Sequence, residues 1–338
     1  MPPKSTFGWL PIDIGFDPQP TVIREALVRW MEFGSTPLAE PFLYHTIDRL
    51  QNAQPRAREI ETDLETLLRV GSRLPPVRPA GFIFHVSRCG STLIANALKT
   101  SDRALVVSES RPVTHLLRPR SEAVGAYLTG RWDETRRALL NSLFSLFAHY
   151  RLGQPEPLVI KFMSINILCL RLVRSYWPDV PCVVVIRDPV EVMVSSLPGG
   201  GWMSFKQRPE QAREMFGWPE ESRTSADMTD EEFAARVLGR YCASALEAVD
   251  DKCMVVDYVE LNPGRMRDIA SFFGIELPAG EERIHEVFSS YAKDPKKTAR
   301  FKDDRELKQR RASVLVRSAA NRWAMDSYSE LRKRTRRV

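Results

Sequence analysis

Residues 81–98 read GFIFHVSRCGSTLIANAL. The stretch falls into three pieces. GFIFHV (81–86) is a short apolar run of the kind that forms a buried strand. Ser87-Arg88-Cys89-Gly90-Ser91-Thr92 is a polar loop, and LIANAL has apolar residues at helical spacing. In a strand–loop–helix unit, the loop's backbone N–H groups and the helix N-terminus form an anion cradle. Gly90 lets the backbone approach a phosphate closely. The Ser91 and Thr92 hydroxyls can donate to phosphate oxygens, and Arg88 offers a planar, permanently charged fork.

Four more runs of the same character follow: ALVVS (104–108), PLVIKF (157–162), PCVVVI (181–186) and CMVVDY (253–258). They are apolar on both faces, as in parallel strands covered on both sides. Helical patterns lie between them near 91–100, 134–150, 166–176, 189–197 and 230–249. Alternation of this kind predicts an α/β fold, a parallel sheet of about five strands flanked by helices. Ligands in such sheets bind at the carboxyl ends of the strands, so the residues just after each strand are the candidates for function.

The first 80 residues read differently. After Pro-rich coil, Thr21 can cap VIREALVRWMEF, and a second helical stretch spans about Arg56 to Val70. Leu74-Pro75-Pro76-Val77-Arg78-Pro79 reads as a stiff extended connector. We therefore expect an N-terminal helical extension over 1–80 and the α/β domain over 81–338. Residues 198–229 show no strong regular pattern and form a candidate acceptor lid, with Gly199-Gly200-Gly201 as its hinge.

The 338 residues are 43% hydrophobic and 27% charged, which excludes a disordered chain or a disulfide scaffold. Net charge is +6, mild enough to favour a small polyanion over a nucleic-acid surface. The densest basic run, Leu331 to Val338, reads as a solvated helix end. Five unpaired-looking cysteines suit a reducing compartment, and the scattered histidines offer no zinc spacing. No apolar run is long enough for a membrane helix and no signal peptide is apparent. The expectation is a soluble, cytoplasmic protein without a metal.

The loop is not the usual nucleoside-triphosphatase loop. That motif needs G-x-x-x-x-G-K-[ST], whereas the glycine before Gly90 is Gly81 and no Lys follows Gly90. S-R-C-G-S-T instead resembles the 5′-phosphosulfate loop of sulfotransferases that use 3′-phosphoadenosine-5′-phosphosulfate (PAPS). Their bacterial members often read S-R-x-G-S-T. A second element agrees. Arg187-Asp188-Pro189 follows the fourth strand, and Ser195 lies eight residues after Arg187. The family reads the 3′-phosphate with an R-[ND]-P strand end and a Ser at that spacing. An Arg fork plus a hydroxyl suits a dianionic anchor. Arg187 paired with Asp188 or Glu191 is the purely structural alternative. The resemblance covers most of 81–305 and implies a P-loop-type sheet. It is nearest bacterial sulfotransferases and the protein-tyrosine sulfotransferase branch, where an acidic base replaces histidine.

The resemblance also implies roles. Glu109, after the second strand, would take the acceptor's proton; a salt bridge to Arg111 or Arg88 is the plain alternative. His115 is a second candidate base. Lys161, ending the third strand, would stabilise the transition state together with Arg88. Donor binding would fall to Arg88, Cys89, Gly90, Ser91, Thr92, Arg187, Ser195 and Tyr258, with Cys89 as a small loop residue and not a nucleophile. A late basic segment would close the nucleotide site through Lys293, Arg300 or Lys302. The implied reaction is sulfuryl transfer from PAPS to a small-molecule or peptidyl hydroxyl, leaving adenosine 3′,5′-bisphosphate (PAP). A P-loop kinase and a non-catalytic nucleotide-binding scaffold are the alternatives. Self-association remains open.

Overall fold

The computed structural model describes residues 7–15, 26–53, 58–118, 132–151, 156–199, 201–219, 223–278, 282–290, 292–294, 300 and 303–335. All five expected strands of the α/β part are present. They are β4 (Gly81–His85), β5 (Leu105–Ser108), β6 (Leu158–Lys161), β7 (Cys182–Ile186) and β8 (Cys253–Asp257). They form one parallel sheet in the order β5-β6-β4-β7-β8. The first strand to enter thus lies at the centre, and the chain fills one side before crossing to the other. Every residue of these strands is buried, so both faces are covered. That is why the runs carry no polar alternation.

The helices that cover the sheet begin where local chemistry starts them. Gly90 precedes α3 (Ser91–Leu98) in the left-handed region, φ 86°. The Asp188 side chain accepts from the N–H of Val190 and Glu191, and Pro189 opens α7 (Pro189–Ser196), whose first turn lacks intrahelical partners anyway. Thr229 caps α9 (Asp230–Leu246). Between β7 and β8, α9 fills the crossover.

The N-terminal part differs from the expected helical extension. It holds two helices, α1 (Leu43–Ala53) and α2 (Leu64–Gly71), but its frame is an antiparallel sheet of β1 (Trp9–Gly15), β2 (Leu27–Glu32) and β3 (Glu59–Asp63). The end of the segment read as a helix from Val22 is the central strand β2. Within it Val28, Trp30 and Met31 are buried while Leu27 and Arg29 are not, so the alternation over 27–30 that the helical reading overlooked ends at Met31. The second predicted helix is half strand: Asp63 ends β3 and caps α2 by accepting from Thr66 N at 2.7 Å. Thr21 and residues 54–57 lie outside the described residues. β1 packs on α4 (Arg111–Leu117) and α2 on α5 (Trp132–His149), and the apolar core runs without a break from Leu10 to Leu331.

Residues 201–219 are also more regular than their sequence suggests. A 3-10 helix (Gly201–Gln207) leads to α8 (Pro209–Phe216). Pro209 starts α8 and Gly217, at φ 64°, stops it after two turns, too short to register as a period. Phe216 packs on Trp218 and on Phe233 of α9, with ring centroids 5.0 and 6.0 Å apart. Gly200 and residues 220–222 lie outside the described residues. No described helix is long and apolar enough to cross a membrane.

Candidate active site

A cavity of about 650 Å³ opens at the carboxyl ends of the parallel strands. All five strands deliver a residue to it or to its floor: His85 from β4, Glu109 after β5, Lys161 at the end of β6, Arg187 after β7 and Tyr258 after β8. The order of the sheet therefore converges residues that stand 24 to 173 positions apart from His85.

The β4–α3 loop forms one wall, with Ser87 to Leu93 all lining the cavity. Ser87 and Arg88 adopt φ of 78° and 49°, a left-handed backbone that non-glycine residues seldom adopt and that clusters at functional sites. Among the described residues, no backbone carbonyl takes the N–H groups of Arg88, Cys89 or Gly90. They are left to a ligand, at the N-terminus of α3. Gly90 is required twice. Its φ of 86° favours glycine, and a Cβ there would lie 2.4 Å from Leu261 Cδ1 and 3.0 Å from Tyr258 Cδ2. Ser91 and Thr92 are buried. Burial pushes the Cys89 thiol up to about 11, so it stays protonated and is no nucleophile at neutral pH.

Glu109 lines the cavity with its side chain one-fifth exposed. Its carboxylate is ion-paired with Lys161 Nζ, and its N–H donates to the Lys161 carbonyl at 2.7 Å. Lys161 is fully buried: it stands behind Glu109, not on the cavity surface, with its ammonium 5.0 Å from the centre of the Phe42 ring. Phe42 stacks on Tyr44 at 5.2 Å and 9°, and both line the cavity. Burial, and then the charge of Glu109, raise the Tyr44 phenol above its ordinary value. An apolar, aromatic wall thus stands beside the acid.

The opposite region holds Arg187. Its Nε donates to Glu191 Oε2 at 2.7 Å, Nη1 to the Arg88 carbonyl at 3.1 Å and Nη2 to Asp304 Oδ1 at 3.0 Å. The guanidinium lies 3.9 Å from the centre of the Tyr258 ring. Lys308 Nζ holds the other Asp304 oxygen at 2.7 Å. Burial works against it, but Lys308 and Arg187 keep the Asp304 carboxyl below the ordinary range. Ser195 lines the cavity, its hydroxyl donating to the Glu191 carbonyl at 2.9 Å. Beside it, the buried Ser196 hydroxyl has no protein partner among the described residues. Lys293 also lines the cavity; burial, then Arg88 and Lys161, bring its ammonium down to about 8.

Two sequence candidates do not line the cavity. Arg300 pairs in an isolated bridge with Ser290, which does line it. His115 faces the N-terminal sheet, its Nδ1 against the Ile14 carbonyl and 3.4 Å from Asp13 Oδ1. Lys302 lies outside the described residues. Sequence reading missed His85, Phe42, Tyr44, Asp304 and Lys308 as cavity residues. Asp304 and Lys308 carried a usable signal, an i,i+4 pair opening α12 (Arg305–Arg311). Phe42 and Tyr44 carried none.

No protein-family model matches the chain, and no curated protein matches its sequence. Solved structures are similar to it at low identity. A sulfotransferase from Alicyclobacillus acidocaldarius is 14% identical, covers 76% of this chain and 95% of its own, and has a TM-score of 0.42. The sulfotransferase domain of the curacin biosynthetic pathway is 14% identical, covers 77% and 98%, and has a TM-score of 0.40. Retinol dehydratase, solved with retinol and PAP, is 16% identical over 81% and 88%, with a TM-score of 0.32.

Proposed function

We propose that this cavity transfers a sulfuryl group from PAPS to a hydroxyl acceptor. The observation that carries the reading is one of placement. A loop with three N–H groups that have no backbone partner among the described residues, with buried hydroxyls and Arg88, opens into the same cavity as Glu109, an acid backed by a buried lysine. The first is what an activated 5′-phosphosulfate requires; the second is what the acceptor requires.

In this reading the acceptor hydroxyl gives its proton to Glu109 as its oxygen bonds to sulfur. The bond from sulfur to the bridging oxygen breaks, and PAP departs. Negative charge grows on that oxygen, where the loop N–H groups, Thr92 and Arg88 are placed to stabilise it. Lys161 serves from behind, holding Glu109 in place by their ion pair. Arg187 and Lys308 flank the part of the cavity where the 3′-phosphate would lie, and the Ser196 hydroxyl, without a partner among the described residues, lines the same cavity, while Lys293 stands nearer Arg88 and Glu109. The acceptor enters along Phe42 and Tyr44, which favours an apolar or aromatic alcohol.

Thermal unfolding tests the reading directly. PAP should raise the melting temperature without a metal, whereas ATP with magnesium should not. Arg187→Ala should weaken PAP binding by about 2–5 kcal/mol, the cost of removing one partner from a desolvated charge pair. Equal stabilisation by ATP–magnesium, or unchanged PAP affinity in the variant, would overturn it.

A further inference from the structure

His85 is a buried titratable group that the reaction above does not use. It ends β4, is 5% exposed and lines the cavity. Both ring nitrogens are engaged. The Ser87 N–H donates to Nδ1 at 3.1 Å, and Nε2 stands 3.1 Å from the Phe162 carbonyl. A nitrogen that accepts carries no proton, so Nδ1 is bare and Nε2–H donates to Phe162. The same Nε2 is 3.7 Å from Glu109 Oε1, the oxygen that holds Lys161. One ring therefore touches the strained loop, the chain just past β6 and the acid after β5.

We propose that His85 is a positioning residue for both halves of the site. Through Nδ1 it holds the Ser87–Arg88 turn in the left-handed shape that leaves the loop N–H groups free. Through Nε2 it braces the end of β6 at Phe162, beside Lys161, and so fixes the lysine that holds Glu109. The inference rests on the donor reading above for its catalytic part only. The charged groups that face the ring are Glu109, Lys161 and Lys293. Burial, Lys161 and Lys293 oppose a proton on the ring, which stays neutral and passes none.

Two variants separate the contacts. Asn at this position can still accept from the Ser87 N–H but falls short of Phe162 and Glu109; Leu makes neither contact. Melting curves are taken first, to check that both variants fold. His85→Leu should weaken PAP binding about tenfold, as expected for one lost buried hydrogen bond, while His85→Asn stays within about threefold. Both should lower kcat at least about tenfold with little change in the acceptor KM, because Glu109 is misplaced in both. In the free protein, amide exchange at Ser87 should accelerate in the Leu variant and not in the Asn variant. Wild-type exchange, binding and turnover in His85→Leu would overturn the proposal. So would a pH–rate inflection between 6 and 8 that disappears in His85→Asn, since that would make His85 a proton carrier. Absence of PAP binding in the wild-type protein would instead overturn the donor reading, leaving amide exchange to decide the role of His85 in the loop.

Discussion

Glu109 shows how much one position in this chain must satisfy. Its φ is 57°, its N–H is tied to the Lys161 carbonyl and its carboxylate to the Lys161 ammonium. The strained backbone turns the side chain out of the sheet into the cavity, and the buried lysine fixes it there. Glu109→Gln keeps the shape and removes the proposed base. Turnover should fall by about 10²–10⁴-fold with PAP affinity nearly unchanged; a fully active variant would move the base elsewhere. Lys293 sets a pH dependence. Its ammonium, held down to about 8, is charged below that pH and neutral above it. Its attraction for phosphate is therefore present at pH 7 and lost as pH rises through 8. PAP affinity should drop about three- to tenfold between pH 7 and 9, and calorimetry on Lys293→Met should show that slope flattened. An unchanged slope would remove Lys293 from the phosphate site.

At the scale of elements, the β4–α3 loop and α12 oppose one another across Arg187. The loop is the part most legible in sequence, because glycine, hydroxyls and arginine between a strand and a helix have one main chemical use. The element α12 was legible only in part: the Asp304–Lys308 spacing marks a helix, but nothing local tells that it packs on Arg187. It brings Asp304 onto Arg187 from 117 residues away, so the guanidinium expected to read a phosphate is held between two carboxylates. An incoming dianion at Arg187 meets the charge of Asp304 and must displace it. Asp304→Asn removes that repulsion. PAP binding measured at low salt should tighten about tenfold; equal or weaker binding would show that Asp304 does not compete. The segment after Ser196 teaches a related lesson: helices of two turns bounded by Pro209 and Gly217 leave too little periodicity to detect.

Across the molecule, the N-terminal sheet and the α/β part share one core. Leu67 of α2 is fully buried in it, and α2 packs on α5. Leu67→Ala should cost about 2–5 kcal/mol and lower the midpoint of a single unfolding transition. Two separate transitions by calorimetry would mean two independent units. The shared core has a functional consequence, because Phe42 from the N-terminal part lies against Lys161 of β6.

The five parallel strands, their order along the chain and the loop after the first were all readable from residue types. Short apolar runs separated by helical patterns suit a parallel sheet covered on both faces, and in such sheets ligands bind at the strands' carboxyl ends. What residue types left open is which side chains meet. That Lys161 lies behind Glu109, that His85 bridges the loop to the acid, and that Asp304 occupies Arg187 depend on how separate segments pack into one core. Such contacts leave no mark in local periodicity, because a pattern of a few residues records the backbone they adopt and not the partner that folding brings to them.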